Sequence, residues 1–333
     1  MKTNQKSARL QRWKIVAGIS YWFAASVIFF APMLWAQTSA QPNDFSSSRA
    51  SVISGCDCST QSDKADAVPD VIAGPNAAYP PREADWVNRW LRRVDKGRSE
   101  QPHTVAPLVT THVLLVQQFR FDSSYQQVPA GTWNFSGGKG LEIIPNTRME
   151  VQVGIAPYVV HSAPSVPDGF GDVSMFLKFR AFSAPEGKGN YFLGLFLGAS
   201  FPSAPPPNGV GHTIWSPMIA ASKGWGRFDV QSTLSASLPQ SGTNLLGRQI
   251  LFNNAFQLKV AKVFWPQIET NSTFFVDGSH SGNQQTFLTP GLVVRSFRIF
   301  QRLLFAPGIG VQIATTHFHL YDHRWVWSMR FPF

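Results

Sequence analysis

Apolar and polar side chains alternate with a period of two from about residue 108 to the end of the chain. The last ten residues show it most plainly. Trp325, Trp327, Met329, Phe331 and Phe333 take the odd positions, and Arg324, Ser328 and Arg330 lie between them. Successive side chains of a strand point to opposite faces, so the aromatics share one face and the charges the other. Met149 to Ile155, Val173 to Ala181 and Phe228 to Leu238 repeat the pattern. Such runs predict twelve strands, near 108–121, 137–144, 148–158, 169–183, 190–201, 212–223, 227–238, 248–262, 266–276, 285–296, 302–315 and 323–333. Their connections alternate in length: Pro145-Asn146-Thr147 is short and 159–168 long, Gly224-Trp225-Gly226 is short and 239–247 long. Pleat and loop length together predict an all-β fold, a transmembrane antiparallel β-barrel of about 12 strands with both termini and the tight turns on the periplasmic side. A β-sandwich, the competing all-β fold, would not turn large aromatics outward on so many strands.

Upstream the rhythm differs. Around 82–96, Trp86, Val87, Trp90, Leu91 and Val94 recur at helical spacing, with Gly97 placed to end the helix. That helix could lie on the membrane surface, cover the periplasmic mouth, plug it, or pack on the barrel rim. Residues 37–80 are rich in Ser, Ala, Asp and Pro without periodicity and predict a disordered tract. Residues 1–36 read as a signal peptide: five basic residues up to Lys14, an uncharged run from Ile15 to Ala36, and small residues for cleavage before Gln37. The run is also long enough to be retained as an anchor. The predicted organisation is therefore a leader (1–36), a periplasmic extension with one short helix (37–105) and an outer-membrane barrel (106–333).

Composition supports a membrane barrel. Charged residues make up 14% and aromatics 13% of the 333 residues, too little charge for an ordinary soluble surface. No second apolar run is long enough for a membrane helix. Half of the formal +10 charge lies in the leader, and the remaining basic residues are scattered, which excludes a nucleic-acid-binding role. The expected surroundings are outer-membrane lipid and lipopolysaccharide, with the barrel-assembly machinery reading the terminal strand (Trp325, Trp327, Met329, Phe331 and Phe333) as its assembly signal. Cys56 and Cys58 offer a metal at most two ligands and read as thiols in a flexible segment.

No catalytic residue, cofactor or metal is assigned. The stretch Asp277-Gly278-Ser279-His280-Ser281-Gly282-Asn283 contains the residue types of a Ser-His-Asn hydrolase, but within a loop. His317, His319 and His323 near Asp322 are weak candidates for a metal site. Strand parity turns a mixed set of charges inward near the periplasmic end: Glu142, Glu150, Lys178, Arg180, Asp229, Lys259, Glu269, Arg295 and Arg330. Charges in a confined lumen must be paired or hydrated, so they predict a low ring narrowing the floor. Higher in the barrel, Phe176, Phe192 and Phe196 predict a lining for a small apolar ligand.

One resemblance spans nearly everything after residue 85. It rests on Val87-Asn88-Arg89-Trp90-Leu91-Arg92-Arg93-Val94, Gln101-Pro102-His103, Gly169-Phe170-Gly171-Asp172-Val173, Ser222-Lys223-Gly224-Trp225-Gly226-Arg227, Leu288-Thr289-Pro290-Gly291 and Arg330-Phe331-Pro332-Phe333. Together these resemble the outer-membrane transporter family labelled "MetA-pathway of phenol degradation". The resemblance implies passage of aromatic or hydrophobic compounds and carries no functional residues. The expected function is thus a channel or transporter. The alternatives are a structural or adhesion barrel with a filled lumen, and an outer-membrane lipid hydrolase.

Overall fold

A computed structural model describes residues 82–127 and 131–333. The leader, the tract before residue 82 and both cysteines lie outside the described residues. Sixteen strand segments follow one helix, α1 (Arg82–Ser99). They are β1 (Gln118–Gln126), β2 (Thr132–Ser136), β3 (Gly140–Asn146), β4 (Met149–Gly154), β5 (Tyr158–His161), β6 (Gly169–Phe170), β7 (Val173–Ala184) and β8 (Tyr191–Phe201). The second half comprises β9 (Ile214–Trp225), β10 (Phe228–Pro239), β11 (Gln249–Leu258), β12 (Phe264–Phe275), β13 (Gln284–Val294), β14 (Phe297–Phe300), β15 (Leu303–Ala314) and β16 (His323–Pro332). Four wall strands are broken into two segments each: β2 with β3, β4 with β5, β6 with β7, and β13 with β14. The wall therefore has twelve strands. Ser136, Gly137 and Gly138 all take positive φ between β2 and β3, a bulge that kinks the strand. The kink lets β1 pair with β2 at one end and with β3 at the other.

Each wall strand pairs antiparallel with its neighbour, and β16 returns to β1 in register from Gln118 opposite Pro332 to Gln126 opposite Arg324. The sheet is closed and has no free edge. Connections at one end are tight, two residues long after β3, β9 and β14, whereas 202–213 and 240–248 at the other end are long. Apolar residues cover the outside: Met175 (47% exposed), Leu195 (55%) and Ile268 (49%) all point outward. The inside holds Arg120, Glu150, Lys178, Glu269 and Arg330, each almost fully buried. This inversion of the usual soluble arrangement suits a wall that meets hydrocarbon. Among the described residues no helix is long and apolar enough to cross a membrane.

Two sequence-based expectations are corrected here. The first wall strand begins at Gln118, not Leu108. Residues 101–117 form no ladder with a neighbouring strand and run inside the barrel, where Leu108, Thr110, His112, Val113, Leu114, Leu115 and Gln117 are all buried. The run from Val113 to Val116 is continuously apolar, and only from Gln118-Phe119-Arg120-Phe121-Asp122 does strict alternation begin. A half-lipid, half-lumen strand requires alternation; a segment surrounded by wall does not. Gly97 does not end the helix. It sits in the last turn against Thr147, where an added Cβ would come within 3.3 Å of that residue's backbone.

Helix α1 packs at the tight-turn end. Trp90 Nε1 donates to the Ile144 carbonyl at 2.8 Å, Val94 is fully buried, and Asp95 pairs with Arg302 at 2.7 Å. These contacts place the helix against the turns at Thr147 and Arg302 and over the buried limb at Val113 and Leu115.

Candidate functional site

From the end of α1, residues 100–117 enter the barrel as a strap, rise to Thr110 and descend again to β1. Gln101 clasps the two limbs: its Nε2 donates to the Leu115 carbonyl at 2.6 Å and its Oε1 accepts the Leu115 N–H at 3.2 Å. The strap is held mainly through its main chain. The Glu269 carboxylate accepts the N–H groups of Leu108 (2.7 Å), Val109 (3.1 Å) and Thr110 (2.6 Å). Val113 N–H reaches Gln231 Oε1 at 3.4 Å, and Val116 N–H reaches Glu150 Oε2 at 2.5 Å. The Pro107 carbonyl accepts from both Arg120 (3.1 Å) and Arg330 (2.9 Å), and the Leu108 carbonyl from Arg120 (2.8 Å).

Behind these contacts runs a row of amides on adjacent strands. Gln231 Nε2 donates to Gln257 Oε1 (2.9 Å), Gln257 Nε2 to Gln267 Oε1 (2.7 Å), and Gln267 Nε2 to Glu269 Oε1 (2.7 Å). Gln231 and Gln257 also both donate to the Val105 carbonyl, at 2.8 and 3.1 Å. A row of buried amides that satisfy one another is rigid, which orients its free atoms toward the strap.

Two apolar sockets complete the hold. Leu108 fits against Gly291, Gly308 and Gly310, where a Cβ would lie 2.4 to 2.8 Å from its side chain. Trp265, Val293 and Val326 close that socket. On the other limb Val113, Leu114 and Leu115 pack with Val94, Ile144, Phe192 and Phe196.

The inward charges have definite places. Lys178 Nζ lies 2.7 Å from Glu150 and 3.5 Å from Glu142, and Gln118 donates to Glu142 at 3.1 Å. Arg180 donates to the Gly97 carbonyl (2.7 Å) and pairs with Glu100 (2.6 Å). Glu269 and Arg330 hold the strap. Asp229 is buried near Gly224. Lys259 lies half-buried over the Trp265 ring at 5.8 Å, and Arg295 is exposed just past β13. These two are not brought into the cluster: Lys259 falls in the turn after β11, and Arg295 lies at the break between β13 and β14. Phe176, Phe192 and Phe196 form an edge-to-face group. Phe176 lies above Lys178 on β7, as expected, but Phe196 is opposite Lys178 and Phe192 is opposite Ser183, nearer the tight-turn end. The register corrects the expected height of those two. The terminal-strand apolar residues Trp325 and Met329 face outward, while Ser328 and Arg330 are buried.

Sequence reasoning missed Arg120, Asp122, Glu100 and the amide row. Arg120 and Asp122 pair at 2.8 Å, and Ser328 donates to Asp122 at 2.5 Å. Their alternation with Phe119 and Phe121 was a readable signal, obscured by starting the strand ten residues early.

In the loops, His319 bonds the Thr316 carbonyl (2.9 Å) and Asp322 (2.8 Å). That carbonyl first, and Asp322 second, raise its pKa above the ordinary histidine range. Among the described residues no group of three or more His, Cys, Asp and Glu is gathered to hold a metal, so His317, His319 and His323 do not converge. Ser279 and Ser281 donate to the carbonyls of Leu245 and Val276, and the His280 ring lies between Phe275 and Phe318. The residue types of a hydrolase are present there without the hydroxyl-to-imidazole contact that such chemistry requires.

No family model and no curated protein matches the chain. Among solved structures it is similar to the COG4313 outer membrane channel from Pseudomonas putida F1, with a TM-score of 0.46, 11% identity, and coverage of 68% of this chain and 98% of that one. It is also similar to the NanC porin, with a TM-score of 0.43, 8% identity, and coverage of 65% and 98%. The resemblance to the phenol-degradation family rests on its sequence motifs alone.

Proposed function

We propose that this protein is an outer-membrane channel or transporter for small molecules, closed at its periplasmic end by its own strap. The tight turns and both ends of the wall would face the periplasm, with the long loops outside. The observation that carries the reading is what fills the lower lumen. A barrel built only as a scaffold fills its interior with wall side chains. Here wall side chains reach inward to hold a separate segment, mainly through hydrogen bonds that can exchange with water or cargo. Many inward wall positions beyond the strap are small and uncharged, among them Ser124, Ser174, Ser200, Ser216 and Ser237, beside Phe287 and an Arg324 that donates to Gln312. The Phe176, Phe192 and Phe196 group and the glycine socket favour cargo with apolar parts, in line with the aromatic or hydrophobic compounds that the family resemblance implies.

A second reading, a structural or adhesion barrel, is favoured by one feature. The pairs Arg120–Asp122 and Lys178–Glu150 lie within the wall and would remain if the strap left. Planar-bilayer recording of the full-length protein separates the two. The double variant Glu150→Ala with Glu269→Ala removes carboxylates from both limbs of the strap and should raise conductance, together with antibiotic sensitivity in a porin-deficient host. Silence of this variant in correctly inserted, heat-modifiable protein would reject the channel.

A further inference from the structure

We infer that the lumen is a binding site for peptide main chain bent as the strap is at residues 108–110, and that the strap occupies the place of a short peptide cargo with apolar side chains. The inference rests on the channel reading and narrows its substrate class. Five strap N–H groups, at 108, 109, 110, 113 and 116, and four strap carbonyls, at 100, 105, 107 and 108, are met by wall side chains. The strap's own polar side chains are read far less. Beyond Glu100, which pairs with Arg180 where the strap enters, only the hydroxyls of Thr104 and Thr110 receive a bond from the wall, from Gln231 and Asn271. Both ring nitrogens of His112 and both amide atoms of Gln117 are buried with no hydrogen-bond partner. The wall therefore reads mainly what every peptide shares.

The chemistry of the wall matches that task. A peptide main chain presents both donors and acceptors, and the wall answers both: Glu269 accepts, while Gln231, Gln257, Arg120 and Arg330 donate. A phenol-sized compound carries a single hydroxyl and would leave most of these buried groups without a partner, a heavy penalty in a confined site. Specificity would come from the apolar sockets. The one at Gly291, Gly308 and Gly310 accepts a branched aliphatic side chain because no Cβ from the wall obstructs it. Main-chain bonds for affinity and side-chain pockets for selection are how extended peptides are bound elsewhere.

The test uses full-length protein carrying Leu108→Gly, which frees the socket and leaves the wall intact. The probe is an acetylated, amidated peptide of residues 103–112, with a twin in which Gly replaces its leucine. The leucine peptide should block the variant's current, and bind the detergent-purified variant by fluorescence anisotropy, at least tenfold more tightly than the twin. Phenol at equal concentration should do neither. Adding Glu269→Gln should weaken the leucine peptide at least tenfold. Current without peptide binding, or equal binding of the two peptides, overturns the inference and leaves the channel standing. Discriminating peptide binding without current upholds the site and rejects the channel. Leu108→Ala, a smaller change, carries the same arms if the glycine variant is not found in the membrane.

Discussion

At Glu269 one carboxylate accepts three consecutive backbone N–H groups, the contact an anion makes at a helix N-terminus, here assembled between a wall and a strap. Hydrogen bonds to a charged group contribute about 1.5–3 kcal/mol. Glu269→Gln should therefore raise the opening equilibrium of the strap roughly 10- to 150-fold. Hydrogen exchange read at residues 105–116 should show that acceleration while β9 and β10 stay protected. Equal acceleration across the wall would mean that the substitution loosens the barrel and not the strap. His319 offers a second check, on the outer loop. Its pKa is raised, so the contact with Asp322 is fully present below the pKa of a free imidazole and is lost as pH rises through the raised value. The site is exposed, so the effect on stability is small. An NMR titration should place the His319 midpoint above the usual value of about 6.5, and Asp322→Asn should lower it. An unmoved midpoint in that variant would remove Asp322 from the account.

Among the elements, β16 joins wall, lumen and closure. It pairs with β1 and β15, buries Ser328 and Arg330, and turns Trp325 and Met329 outward. Deleting Phe333, or replacing Phe331 and Phe333 by Asp, should deplete the folded, heat-modifiable form, because β16 closes the sheet against β1. Charge on the lipid face costs about 2–4 kcal/mol for Arg or Lys at mid-membrane, and less for acids and near an interface. Normal levels of folded barrel in these variants would show that the terminal strand is not the assembly signal. The outward face also has one polar row. Ser232 donates to Asn254 at 2.7 Å, and Asn254 to Thr270 at 3.2 Å, across three neighbouring strands. Apolar surroundings tolerate these groups because they satisfy one another.

For the whole molecule, the decisive fact is that the wall's inner surface and the strap form one packed, hydrogen-bonded unit. Residues 82–105 contribute no strand to the closed sheet. Yet that stretch supplies Trp90, Val94, Glu100 and Gln101 to the mouth and lumen. Its loss would leave Arg180 and the carbonyl of Ile144 without their present partners.

The period-two pattern alone determined the strand count, the outward face and the buried charges, because a strand has only two faces and lipid accepts only one kind of side chain. Alternating loop lengths added which end carries the tight turns. Neither signal could distinguish wall from strap at 108–117. An apolar residue is buried equally well against lipid, against a glycine socket or against Phe192. Only the closed barrel determined that Leu108 meets Gly291 and Gly310, and that Glu269 meets a main chain and not a base. Those partners lie about 160 residues or more away along the chain. Local periodicity specifies which way a side chain points; what it meets there depends on which distant segment the closed sheet encloses.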